Sequence, residues 1–164
     1  MARDAETARR KTAAEAPARP PVRQAAGDGS AYPAPPSAHD PVSYTYTTDL
    51  AAIRAVVHRH AIKAGLSEAR AIDLVLAVSE VAANTVRHAK SPGHLQIWYD
   101  TNEIICQVQD EGIITDPLAG RRRPSLGARG GHGLWIVNEV CDRVEILSDE
   151  TGTTIRLHMD VHPR

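Results

Sequence analysis

Apolar residues recur at helical spacing in some stretches, alternate with polar ones in others, and nearly vanish from the first forty positions. Leu50, Ile53, Val56, Val57 and Ala61 fall three and four apart, which predicts an amphipathic helix ended by Gly65. Ser67 is placed to cap a second helix, the longest predicted, with an apolar stripe through Ile72, Val75, Leu76, Ser79, Ala82, Ala83 and Val86. Ahead of both, Tyr44 and Tyr46 alternate with Thr45 and Thr47 and predict a strand. Ser91, Pro92 and Gly93 break the helical pattern. Leu95, Ile97 and Tyr99 then alternate up to a polar Asp100-Thr101-Asn102 turn that leads into Ile104, Cys106 and Val108, a β-hairpin.

Residues 111–132 are rich in Gly, Pro and Arg, longer than an ordinary connection and of the kind that forms a functional loop or lid. Residues 133–141 follow as a short helix carrying Leu134, Ile136, Val137 and Val140, and strands at 144–147 and 153–159 close a second hairpin. The order β-α-α-β-β-loop-α-β-β predicts an α+β fold: a two-layer sandwich with helices packed on one face of a mixed, mostly antiparallel sheet. Residues 1–41 hold seven of the eleven prolines, and up to Asp40 there is no Leu, Ile, Phe or Trp to anchor a core. The expectation is a disordered Ala/Pro/Arg-rich tail followed by one folded domain at 42–162.

Composition narrows the function. A net charge of -1 gives no electrostatic footprint for nucleic acid or an anionic membrane, so no direct nucleic-acid role is expected. No apolar run approaches the roughly 20 residues of a membrane helix, and the N-terminal segment lacks a secretion-signal core. Five acidic residues in the first forty also argue against a transit peptide. Cys106 and Cys141 lie in apolar periodic segments and read as buried free thiols, which suits a reducing cytoplasm. His58 and His60 diverge on their helix and have no Cys-rich companion motif, so structural zinc is not expected. Trp98 and Trp135 sit in apolar segments, where burial in a core or interface is the default.

Three groups of polar residues carry the chemistry. Glu80 and Asn84 lie four apart on the long helix and share a face, although an isolated pair of this kind is usually just a solvated surface. Asp110-Glu111-Gly112 follows an apolar strand: a carboxylate there accepts from an exocyclic amine such as adenine N6, and the glycine admits a base close to the backbone. Gly130-Gly131-His132-Gly133 opens a helix, where free N–H groups and the helix dipole favour phosphate. Singly, each is weak. Their order along one chain is specific.

Glu80-x-x-x-Asn84 with Arg87-His88-Ala89, then Asp110-x-Gly112, then Gly131-x-Gly133-Leu134 with Ile136-Val137, resembles the boxes of the GHKL ATPases, which share the Bergerat fold. The resemblance runs from about residue 42 to 159. The chain's short length, the absence within it of a dimerisation helix bearing a phosphoacceptor histidine, and the ending Gly152-Thr153-Thr154-Ile155-Arg156-Leu157 most resemble the anti-sigma-factor serine kinases. That likeness implies ATP and Mg²⁺ as cofactors, Glu80 as general base and Asn84 as magnesium ligand. It further implies Asp110 and Gly112 at adenine, Gly131, Gly133 and Leu134 at the phosphate loop, and Thr153 or Thr154 near the base. Arg87 is placed for phosphate contact or for capping the helix end. Arg121, Arg122, Arg123 and Arg129 fit a phosphate clamp and a solvated basic loop equally.

One departure stands out: the usual first glycine box has a second glycine where this chain has Ile114. The implied function is an anti-sigma factor in the cytoplasm that phosphorylates a serine on an antagonist protein and so controls partner exchange with a sigma factor, with a homodimer expected by analogy. Two alternatives stay open: a sigma-factor or partner-binding module that keeps the nucleotide pocket without phosphoryl transfer, and a detached histidine-kinase catalytic domain.

Overall fold

A computed structural model describes residues 23–24, 41–116, 119–125 and 131–162. The elements run β1 (Arg23–Gln24), β2 (Val42–Tyr46), α1 (Leu50–Ala64), α2 (Glu68–His88), β3 (Gly93–Asp100), β4 (Glu103–Asp110), α3 (His132–Val140), β5 (Arg143–Asp149) and β6 (Gly152–Asp160). They form one six-stranded sheet in the order β1-β5-β6-β4-β3-β2, antiparallel throughout except where β1 joins the β5 edge in parallel. The three helices lie on one face, giving the α+β two-layer sandwich that the hydrophobic pattern predicts. Of the expected N-terminal tail, only Arg23–Gln24 and Pro41 fall among the described residues.

Local signals placed most elements. Asp49 accepts from Ala52 N at 3.0 Å and Ser67 from Arg70 N at 3.4 Å, so each of the first two helices begins on a side-chain cap. Gly65 ends α1 with φ of 98°, and its N–H reaches the Ala61 and Ile62 carbonyls. The core lies between helices and sheet: Ile53, Val57, Leu74 and Val78 meet Leu95, Ile97, Ile104, Cys106, Val108, Leu157 and Met159. Both cysteines are buried and outside any disulfide, and burial pushes the Cys106 thiol pKa far up.

The expected stripe on α2 requires correction. Its buried residues are Ala71, Leu74, Ala77, Val78, Val81, Ala82 and Thr85, whereas Ile72, Leu76 and Val86 are 54 %, 40 % and 37 % exposed. The true face is displaced from the expected one by about one residue, or roughly 100° around the axis. The cause is packing. α2 is the central helix and touches α1, α3 and the sheet, so apolar residues cover most of its circumference and periodicity alone does not select the sheet-facing arc.

On the helix-free face a hydrogen-bonded row crosses three strands. Gln107 Nε2 donates to Gln96 Oε1 at 3.0 Å, and Arg156 Nε donates to Gln107 Oε1 at 2.6 Å. Arg156 also stands over the Trp98 ring at 5.5 Å, and Trp98 is buried as the sequence suggests. Among the described residues no helix is long and apolar enough to cross a membrane.

On α1, His60 sits between two tyrosines. Its Nδ1 lies 2.8 Å from Tyr99 Oη and its Nε2 3.4 Å from Tyr44 Oη, while Tyr99 Oη is also 3.2 Å from the His60 carbonyl. Burial, then the charges of Arg59 and Lys63, lower the His60 pKa. A depressed histidine pKa contributes stability that is present above the unfolded value of about 6.5 and lost as pH falls through the folded value.

Two outcomes follow. Leu74→Ala costs about 2–5 kcal/mol of unfolding free energy, while Leu76→Ala changes it by less than about 0.5 kcal/mol; equal losses in denaturant melts would return the stripe to its expected position. Thermal midpoints of the wild type fall between about pH 7.5 and pH 5.5, and His60→Asn, which keeps a polar group toward Tyr99, flattens that fall. A slope unchanged in His60→Asn assigns the sensitivity to another group.

Candidate functional site

Glu80 and Asn84 leave α2 on the arc next to its buried face, so anchoring Val81 and Thr85 against the core turns both polar groups toward a neighbouring cavity. That cavity, of about 1070 Å³, is bounded by α2, the end of β4, the following loop, the start of α3 and β6. Its size suits a nucleotide, near the upper end of the ~300–1,000 Å³ typical of small-molecule sites.

Asp110 is the last residue of β4 and its carboxylate is held on both oxygens. Gly112 N donates to Oδ1 at 2.7 Å and Thr85 Oγ1 donates to Oδ2 at 2.5 Å. A second relay supports the adjacent wall: Ile114 N donates to Ser148 Oγ at 2.8 Å, Ser148 bonds Thr153 Oγ1 at 2.7 Å, and Thr153 Oγ1 donates to Gly112 O at 2.7 Å. The residue at the second glycine position is thus tied to β5 by its backbone and packs against the core through its side chain. At the other end, α3 begins behind Gly131 with no side-chain cap, leaving its first N–H groups facing the cavity mouth.

Gly133 brings the first turn of α3 close to Glu80. A Cβ there would stand 2.8 Å from Glu80 Oε2, the movable end of a flexible side chain that would have to swing aside, and at ordinary contact distance, 3.7 Å, from Asn84 Nδ2.

The structure brings together Glu80, Asn84, Arg87, Asp110, Gly112, Gly131, Gly133, Leu134 and Thr153 around this one space. Thr154 does not join them. Successive residues of a strand face opposite sides, so once Thr153 and Ile155 face the cavity, Thr154 points to the helix-free face beside Gln109 and Leu147. Arg129 lies outside the described residues. Arg122 and Arg123 line the cavity, and Arg123 also stacks on Trp135 at 5.6 Å, which leaves that tryptophan half-buried. Asn138 Nδ2 donates to Gly120 O at 3.2 Å and fastens this basic loop to α3.

Thr85 and Ser148 were missed by sequence reasoning, whereas His88, which the motif already includes, lines the cavity. Thr85 carried a signal, being a polar side chain amid the apolar positions of α2, directly after Asn84. Ser148 carried none, since it meets Ile114 and Thr153 only through the sheet.

A helix-borne Glu and Asn, a strand-end Asp with its glycine, and a glycine-opened helix enclosing one cavity define a nucleotide-binding ATPase domain. Residues 44–159 match the model of the family described as histidine kinase-like ATPase domain, and the chain belongs to that family. ATP binding follows at the family level. Among solved structures, the chain resembles the crystal structure of the RsbU and RsbW domains of Rv1364c from Mycobacterium tuberculosis, with a TM-score of 0.54 and 17 % identity. The likeness covers 73 % of this chain and 32 % of that one, so this chain spans about a third of the length of that solved chain. No curated protein matches the chain.

Gly133→Ala tests the contact between α3 and Glu80. The added methyl meets the free end of a flexible side chain, and alanine is the better helix former, so the thermal midpoint holds or rises. A midpoint lowered by several degrees would show instead that Glu80 cannot move aside.

Proposed function

We propose that this chain is an ATP-dependent protein kinase of the anti-sigma-factor type, transferring the γ-phosphoryl group of Mg-ATP to a serine on an antagonist protein while holding a sigma factor inactive. The observation that carries the reading is the shared cavity: Glu80 and Asn84 on α2 and Asp110 at the end of β4 line it together, with the start of α3 against Glu80 and Asn84. Partners and serine specificity rest on the resemblance of the motifs to the anti-sigma-factor serine kinases, and the likeness to a protein with an RsbW domain is compatible with it.

Asn84 fits magnesium. Its carboxamide supplies a hard, neutral oxygen from a half-buried position on the cavity wall, the donor type that suits an ion held chiefly by phosphates and water. When bound, the ion offsets charge on the phosphates. Asp110 accepts the adenine amine, and the N–H groups opening α3 receive phosphate oxygens with the helix dipole behind them. Glu80 orients the serine hydroxyl and takes its proton as the Oγ–Pγ bond forms and the bond from Pγ to the β-phosphate oxygen breaks, releasing ADP. Arg122 and Arg123 add positive charge at the cavity rim.

Ile114 favours a second reading, a partner-binding module in which the nucleotide is a conformational element and no phosphoryl group moves. Its anchored backbone stands where a second glycine would give freedom.

Radiolabelled Mg-ATP, candidate antagonist proteins and sigma factors decide between them. Acid-stable label on an antagonist, abolished in Glu80→Gln with ATP affinity within about threefold of wild type, is the expected result. Transfer that survives Glu80→Gln removes Glu80 as base. Tight sigma-factor capture without transfer selects the module, and acid-labile label selects a histidine kinase catalytic domain.

A further inference from the structure

Asp110 is steadied by a relay that runs from β2 through α2 to the end of β4. Tyr46, the last residue of β2, pairs across the sheet with Gly93 of β3, and its ring lies where a side chain at 93 would be. A Cβ on Gly93 would stand 2.3 Å from Tyr46 Cζ, so the glycine is what admits the ring. From there the buried phenol donates to Thr85 Oγ1 at 3.1 Å. Burial raises its pKa, and the Asp110 charge adds to the rise, so the phenol stays a neutral donor.

Thr85 has one proton and two acceptors in range. The back-bond usual for a helical threonine, to Val81 O, is 3.4 Å, whereas Asp110 Oδ2 is 2.5 Å away. The proton therefore belongs to Asp110. With Gly112 N on Oδ1, each carboxylate oxygen is fixed by one donor and keeps acceptor capacity toward the cavity.

We propose that Thr85, held by Tyr46, is a positioning residue that sets this cavity's preference for a 6-amino purine by fixing the plane of the Asp110 carboxylate. The proposal rests on the nucleotide reading above. An acceptor-only group in fixed orientation rewards an exocyclic amine and gives nothing to a purine without one. Free of Thr85, the carboxylate turns about a soft terminal torsion and the discrimination weakens, while the surrounding apolar wall still receives the ring.

The test measures dissociation constants of the whole chain for Mg-ATP and for the Mg-triphosphate of purine riboside, which lacks the 6-amino group, by calorimetry, with thermal midpoints alongside. Wild type prefers ATP, Thr85→Val reduces that preference about tenfold, Tyr46→Phe reduces it less, and Thr85→Ser restores it. A loss of structure alone weakens both ligands together and leaves their ratio unmoved. A wild-type ratio in folded Thr85→Val overturns the inference and spares the nucleotide reading; should that variant not fold, a wild-type ratio in Tyr46→Phe does the same. Wild type that takes neither triphosphate overturns the nucleotide reading and the inference with it.

Discussion

Leu74, Val78, Val81 and Thr85 press α2 against the sheet, and that contact fixes the rotation of the helix about its own axis. Residues one position away move roughly 100° around the cylinder, so the same packing that buries Val81 directs Glu80 and Asn84 sideways into the cavity. A helix turned by one residue would keep much of its hydrophobic content and carry both polar groups elsewhere. Close packing makes such a turn costly, because the buried side chains interlock with Leu95, Ile97 and Val108. Core and site are therefore one constraint seen from two sides.

The boundaries of the elements were legible because they rest on local chemistry. Gly65 and Ser67 separate α1 from α2, and Ser91-Pro92-Gly93 ends the helical run, each by a mechanism confined to a few residues. The rotation of α2 was not legible, since Ile72, Leu76 and Val86 are as apolar as the residues that do face the sheet. Only knowledge of the neighbours α1 and α3 resolves it. The same division holds at the site. Asp110, Gly112 and Gly133 announce themselves at a strand end and a helix start, whereas choosing Thr153 over Thr154 depends on which face of β6 meets α2, a tertiary fact.

Hydroxyl groups recur wherever the cavity wall needs a defined shape. Thr85 ties α2 to the end of β4, and Ser148 with Thr153 ties β5 and β6 to the loop after it. These are buried or half-buried donors with named acceptors, so each orders a group that would otherwise rotate. None touches the helix-free face. The sheet thereby gives one side to core and cavity, and on the other carries the Gln96, Gln107 and Arg156 row with Trp98 beneath the guanidinium.

Ile114 shows how the two ends of the cavity differ. Its N–H is taken by Ser148 and its side chain packs against the core, so the backbone from Asp110 to Ile114 is secured at Gly112 N, Gly112 O and Ile114 N in succession. A glycine at 114 would leave the N–H bond in place and remove the packing, restoring backbone freedom where the wall now has none. At the opposite end, Arg122 and Arg123 extend from a segment held to α3 by Asn138 and by the stack on Trp135, contacts near the surface and easily remade. The Asp110 wall is thus tied down by successive backbone bonds, whereas the arginine-bearing segment is held by fewer contacts nearer the surface. An isoleucine at 114 is therefore compatible with the nucleotide binding of the family, because it stiffens one wall of the cavity without closing it.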